Sequence, residues 1–205
     1  VRLLIGLRRP QTGAAATVAK QCLLDWVGIT LAAREEPLLK ILASHFPTGG
    51  TEGVTVLGLG RRVRLDDAVM LNGSAGHALD FDDVNAGMGH PTAPVAPVVL
   101  ALGELHGFSG ADLISAFVAG VEAECRVAAM MGSSHYAKGW HGTGTYGTFG
   151  ATVAAAQLLN LDEEALVYAM GLAGTQAAGL KSAFGTMAKP LHVGKAAMNG
   201  LLAAQ

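Results

Sequence analysis

The 205-residue chain reads as an all-α body carrying one short β-hairpin, and three observations lead there. Apolar residues recur at helical spacing along most of the length, helix-starting residues precede several of those runs, and strand-like alternation is confined to the stretch between Gly49 and Arg64. The first helix is expected over residues 14 to 33, with Leu23, Leu24, Val27 and Leu31 on one buried face and Gly28 weakening it locally. Val54-Thr55-Val56 and Val63, set around Gly58 and Gly60, predict a hairpin that projects from the helical body. Asp66 is the expected N-cap of a helix running to about Leu79. Ser109 with Asp112 forms a capping box for a helix to about Met131, and Asp162 caps another whose first turn holds Glu163 and Glu164. Pro190 at the first helical position opens the last helix and puts Lys189 at its N-cap. That helix is still periodic at Gln205 with no closing signal, so the chain is expected to stop inside a domain.

Composition narrows the function classes. Hydrophobic residues make up 51% and charged ones 15%, with a mean hydropathy of +0.39, more apolar surface than one small core needs. The excess points to large contacts with another chain or with a further part of the protein. A net charge of −2, with basic residues clustered only at Arg61, Arg62 and Arg64, argues against nucleic acid as a partner. Cys22 and Cys125 lack metal-site spacing and fit buried thiols in a reducing, cytoplasmic compartment. The longest apolar run, Ala93 to Gly103, is broken by Pro94 and Pro97 and falls short of the ~20 residues that span a bilayer. The segment from Val1 to Pro10 has no signal-peptide core, so no membrane role is expected.

Three polar islands stand out from this background. In the first, His77 and Asp80 share a face if their helix persists, and Asp82 and Asp83 fall at its end. Asp-x-Asp-Asp suits either a solvated helix end, a Mg²⁺ site or a proton-donating carboxyl. His90 follows through the flexible, turn-rich Asn85-Ala-Gly-Met-Gly89 and precedes a helix start, a placement suited to substrate contact. The second island, Lys138-Gly-Trp-His141, runs into Gly142-Thr-Gly-Thr-Tyr-Gly147, which satisfies a dinucleotide-binding pattern with Asp162 beyond it. No strand precedes that pattern, so the glycines instead predict a tightly packed helix whose N-terminal amides can face an anion, with His141 just before it. In the third island, a lysine at a helix N-cap opposes the helix dipole, which makes sense where an anionic substrate shares the site.

The blocks His77-Ala-Leu-Asp80-Phe-Asp-Asp83, Gly89-His90-Pro91-Thr92, Lys138-Gly-Trp-His141 and Gly185-Thr-Met-Ala-Lys189-Pro-Leu-His-Val-Gly194 resemble, in this order, the signature blocks of the MmgE/PrpD family. The family includes 2-methylcitrate dehydratase, cis-aconitate decarboxylase and iminodisuccinate epimerase, enzymes of small polycarboxylates that use no cofactor. The resemblance implies a large all-helical domain, a smaller α+β lid and a homodimer. Members are much longer than this chain, so residues 1–205 match the N-terminal part of the helical domain, truncated and without the lid. By position in the motifs, Asp80, His90, His141 and Lys189 correspond to active-site residues. Their expected roles are acid/base or electrophilic for His90 and Lys189, carboxylate binding or proton transfer for His141, and orientation for Asp80, with no cofactor and no metal. The expected function is a dehydratase or decarboxylase of a small di- or tricarboxylate such as 2-methylcitrate or cis-aconitate. Two alternatives stand beside it: epimerisation of a dicarboxylate such as iminodisuccinate, and an inactive helical fragment serving only dimerisation or partner binding. Val84 departs from the threonine usual in the dehydratases and decarboxylases and leaves the substrate open.

Overall fold

A computed structural model describes residues 10–48 and 53–205. The N-terminal segment before Pro10 and the leading edge of the predicted hairpin, from Gly49, lie outside the described residues. Eight α-helices are described: α1 (Gly13–Ala32), α2 (Pro37–His45), α3 (Leu65–Ala78), α4 (Thr92–His106), α5 (Gly110–Ala137), α6 (Gly142–Leu158), α7 (Glu163–Gln176) and α8 (Ala188–Ala204). Between α2 and α3 stand β1 (Val54–Val56) and β2 (Arg61–Val63), paired antiparallel with Val54 opposite Val63 and Val56 opposite Arg61. The chain is therefore all-α with one hairpin.

The core is organised around α6, which packs against α4, α5, α7 and α8. Small residues let the backbones meet. A Cβ on Gly194 of α8 would stand 2.3 Å from the Met70 carbonyl of α3, and one on Gly150 of α6 would stand 2.5 Å from a Glu124 carboxylate oxygen on α5. Around these contacts Val69, Leu71, Val95, Leu102 and Leu201 are wholly buried. Dense apolar packing of this kind is worth about 25 cal/mol per Å² removed from water. The glycine pattern at Gly142–Gly147 lies inside the first turns of α6 and is preceded by α5, not by a strand, so it is helix packing rather than a nucleotide cradle.

Several starts and stops follow the sequence. Ser109 and Asp112 form both arms of the capping box of α5, and the Asp162 carboxylate accepts the Ala165 amide at 2.9 Å. The run expected to end at Met131 is broken at Gly132, whose φ of +62° interrupts α5 before its last turns. Others differ. Asp66 does not cap α3: the extended Arg64 does so by backbone alone, its carbonyl accepting the Ala68 amide at 2.9 Å, and Asp66 and Asp67 sit in the first turn. The last helix begins two residues before Pro190, because the Thr186 hydroxyl takes the Ala188 amide at 3.2 Å, which places Lys189 inside the first turn instead of at the cap.

Two packing expectations also change. Leu24 and Leu31 of α1 face outward, while Ala16, Ala19, Trp26, Ile29 and Thr30 are buried. Trp26 decides this rotation, since its indole lies against Gly76 of α3, where a Cβ would meet Nε1 at 2.0 Å. The hairpin does not project. Asn72 of α3 clamps it by accepting the Leu57 amide and donating to the Thr55 carbonyl, both at 2.9 Å, and Glu104 of α4 binds Thr55 and Arg62, so Val54, Val56 and Val63 join the core. Cys22 and Cys125 are half-buried free thiols, and among the described residues no helix is long and apolar enough to cross a membrane.

Candidate active site

The three polar islands converge at one end of the bundle. The helix does not persist to Asp80: α3 stops at Ala78, and Asp80 turns the chain with a φ of +58°, a left-handed conformation that aspartate tolerates better than most residues. That turn sends three adjacent acids to three different tasks. Asp80 swings out to pair with the Lys189 ammonium from the start of α8, while its Oδ1 lies 3.5 Å from His90 Nε2. Asp82 goes inward, 3% exposed; its carboxylate accepts from Nδ1 of His77 at 2.8 Å and lies 3.3 Å from Nδ1 of His90, whose bond is to the Asp82 backbone carbonyl at 3.2 Å. Asp83 is structural, its carboxylate taking the Thr92 amide at 3.2 Å and the Thr92 hydroxyl at 2.9 Å where α4 begins.

The loop before His90 is tied rather than free. Asn85 and Gly89 exchange backbone hydrogen bonds of 2.7 and 2.9 Å, and the Thr143 hydroxyl of α6 accepts the His90 amide at 3.2 Å. On the facing wall His141 is the N-cap of α6, with Gly142 and Thr143 opening the helix beside it. Its amide donates to the Gly179 carbonyl at 2.9 Å, and its Nδ1 is 3.3 Å from Nδ1 of His192, one turn along α8 from Lys189. Phe184 packs edge-on against His141, ring centroids 4.9 Å apart. A cavity of about 550 Å³ opens between the walls, reached by His90, His141, Thr143 and Lys189 and floored by apolar Met88, Ala128 and Tyr146.

Burial and neighbouring charges together set the protonation of Asp80, Asp82, His90, His141 and His192. Burial opposes ionisation of Asp82, yet the hydrogen bonds and charges of His77 and His90 prevail and hold this carboxyl down at about 2. Asp80 is likewise penalised by burial but lowered on balance by Lys189, His77 and His90. Burial would also discourage a charge on His90, but the bonds and charge of Asp82 raise its pKa above the ordinary histidine value against the opposing Lys189. His141 has no carboxylate partner among the described residues: burial first, then the cationic forms of the neighbouring groups, oppose its charge and push it down to about 3. His192 is lowered by burial and by His77.

All four motif residues, Asp80, His90, His141 and Lys189, are thus brought together. The arrangement adds Asp82, His77 and His192. His192 was legible as the residue three beyond Lys189 on one helix, and Asp82 as the middle acid of its motif, but nothing local assigned them partners. His77, Asp80, Asp82 and His90 offer polar atoms within 4.8 Å of one another, a spacing that a cation could share. In the structure Asp80 pairs with the Lys189 ammonium and Asp82 lies against two imidazoles, so these residues form an ion-pair network. The whole can bind an anion between Lys189 and the first amides of α6, and can give a proton from one wall while the other stays uncharged.

Comparison with known proteins agrees with the motifs. The family model described as the MmgE/PrpD N-terminal domain matches residues 8–205. The chain is 32% identical over 197 residues to the cis-aconitate decarboxylase-like protein oryM of Aspergillus oryzae, covering 91% of this chain and 41% of that protein. It is 34% identical over 197 residues to a cis-aconitate decarboxylase of Aspergillus terreus, covering 90% and 39%, and 35% identical over 142 residues to that of Homo sapiens, covering 67% and 30%. The chain spans less than half the length of these relatives. By the extent of the family match and by these identities, the chain belongs to the MmgE/PrpD family.

Proposed function

We propose that this chain carries the proton-transferring and carboxylate-binding groups of a cofactor-independent lyase that decarboxylates a small unsaturated tricarboxylate of the cis-aconitate type. One observation carries the reading: two histidines, His90 and His141, face one cavity with their protonation pushed in opposite directions beside a lysine ammonium. Loss of carbon dioxide from such an acid leaves an electron pair that passes through the double bond toward a neighbouring carboxylate. Lys189 and the α6 amides hold the substrate carboxylates and stabilise that charge, and His90 supplies the proton that completes the product. His141, uncharged, orients substrate by hydrogen bonding. Asp80 orients Lys189 and His90. The names of the relatives support cis-aconitate as the substrate class.

Dehydration of a hydroxy acid such as 2-methylcitrate draws on the same groups, with His90 as acid to the departing hydroxyl. A second reading is epimerisation of a dicarboxylate such as iminodisuccinate, which needs the same proton abstraction but no leaving group; Val84, exposed at the cavity edge, leaves the substrate open. The working protein is proposed to be the longer polypeptide, cytoplasmic and homodimeric. The apolar, exposed Val167, Tyr168 and Leu172 of α7 fit such an assembly. The test is to incubate the full-length enzyme with cis-aconitate, 2-methylcitrate and iminodisuccinate in deuterated water. Carbon dioxide with a deuterated, decarboxylated acid is expected. Deuterium exchange without loss of mass would favour the epimerase, and no reaction or carboxylate binding would leave only the inactive helical fragment.

A further inference from the structure

Asp82 is not among the residues that meet the cavity, yet it makes the closest contacts to the ring that does. Its carboxylate is almost wholly buried, a costly placement unless the charge is fully compensated. Both compensating groups are imidazoles, and both approach through Nδ1: His77 at 2.8 and 3.0 Å to the two carboxylate oxygens, His90 at 3.3 Å to one of them. The same His90 nitrogen is 3.2 Å from the backbone carbonyl of Asp82, so two acceptors on one residue face it. A proton is therefore held at His90 Nδ1, and Nε2 is left toward Asp80 and the cavity. His77 cannot reach the cavity: its side chain is completely buried, its Nε2 has no partner, and its ring stands edge-on to His90 at 4.6 Å.

We propose that Asp82, braced from behind by His77, is the positioning residue that fixes the His90 ring and keeps it doubly protonated, so that Nε2–H is delivered to the reacting carbon. This rests on the lyase reading above. The proton leaves Nε2 for the carbanionic carbon, the electron pair of the N–H bond stays on the ring, and the now neutral His90 keeps its Nδ1–H on Asp82. A proton taken up from the bulk solvent through the cavity mouth restores Nε2–H, one consumed per turnover as the decarboxylation requires. Four groups besides Asp82 face His90: Asp80 reinforces its charge, whereas Lys189 opposes it and His77 and His141 crowd it. Asp82 prevails because it is a hydrogen-bonded, desolvated counter-charge, whereas Asp80 divides itself between His90 and Lys189.

The experiment compares the pH dependence of kcat in the full-length enzyme and in Asp82→Asn and Asp82→Glu. Activity that needs protonated His90 falls as pH rises through its pKa. In Asp82→Asn that alkaline limb moves to lower pH by one unit or more, about a tenfold loss at pH 8 that shrinks at pH 6. Asp82→Glu, keeping the charge, holds the limb near its original position even if kcat drops. A folded Asp82→Asn enzyme with an unmoved limb overturns the proposal. A second measurement needs no variant: diethyl pyrocarbonate reacts only with unprotonated imidazole, so mapping carbethoxylation of His90 against pH in the unmutated enzyme reads its pKa. A midpoint above the ordinary histidine value is expected, and one at or below it overturns the proposal even if Asp82→Asn fails to fold. An unmutated enzyme inert toward every carboxylate would refute the lyase reading instead, and the labelling midpoint would still decide the role of Asp82.

Discussion

The two walls of the cavity are built from the same side chain in opposite surroundings. His90 stands on a loop wall with Asp80 and Asp82 at 3.5 and 3.3 Å, whereas His141 stands on a helical wall with His192, Phe184 and, among the described residues, no carboxylate in contact. Burial disfavours the charge on both rings, and only the acids of the loop reverse it. Where the carboxylates are placed, not where the histidines are, decides which ring the surroundings favour protonated. The loop can place them because Asp80 breaks the helix in a left-handed turn.

The largest expected effect that would break this contrast is on stability in acid. His141 is held at about 3 against an ordinary 6.5, so the folded state refuses a proton that the unfolded chain accepts. Its neutral burial costs nothing above about pH 6.5, and stability is lost progressively as pH falls from there toward 3, by roughly 5 kcal/mol in all. His141→Gln removes the titration, so its melting temperature should decline less than that of the unmutated protein between pH 6.5 and 4. Parallel declines would show that His141 is not held neutral.

A smaller effect tests the charge between the walls. Lys189→Ala in the full-length enzyme should lower kcat by a hundredfold or more, about 3 kcal/mol, because it removes a cation from developing negative charge and leaves Asp80 facing His90 unopposed. Intact turnover would remove Lys189 from the mechanism. Smallest of all is the effect of a chelator: with positive charge supplied by Lys189 and His90, activity should be unchanged by EDTA, and a loss restored by Mg²⁺ would move the loop acids from ion pairing to metal binding.

How much of this could be read from the sequence follows from the range of the interactions. Ser109 with Asp112 and Asp162 with Ala165 are contacts three residues apart, and both caps were legible. The four motif residues were legible by resemblance. The pairings that give them their states join distant segments: Lys189 with Asp80 across 109 positions and His141 with His192 across 51. The helix end at Ala78 depended on an aspartate adopting a left-handed turn, and the true start of α8 on the Thr186 hydroxyl. In α1 the nearly uniform apolar composition left its rotation to be fixed by Trp26 against Gly76, which no periodicity in α1 itself records.

The most direct test is a nuclear magnetic resonance titration of histidine rings in the full-length enzyme, labelled at the ring carbon between the two nitrogens and assigned with His90→Gln and His141→Gln. The His90 signal should still be moving from its protonated position above pH 6.5, while that of His141 stays at its neutral position down to at least pH 5. Two rings titrating together near the ordinary histidine value would contradict the account.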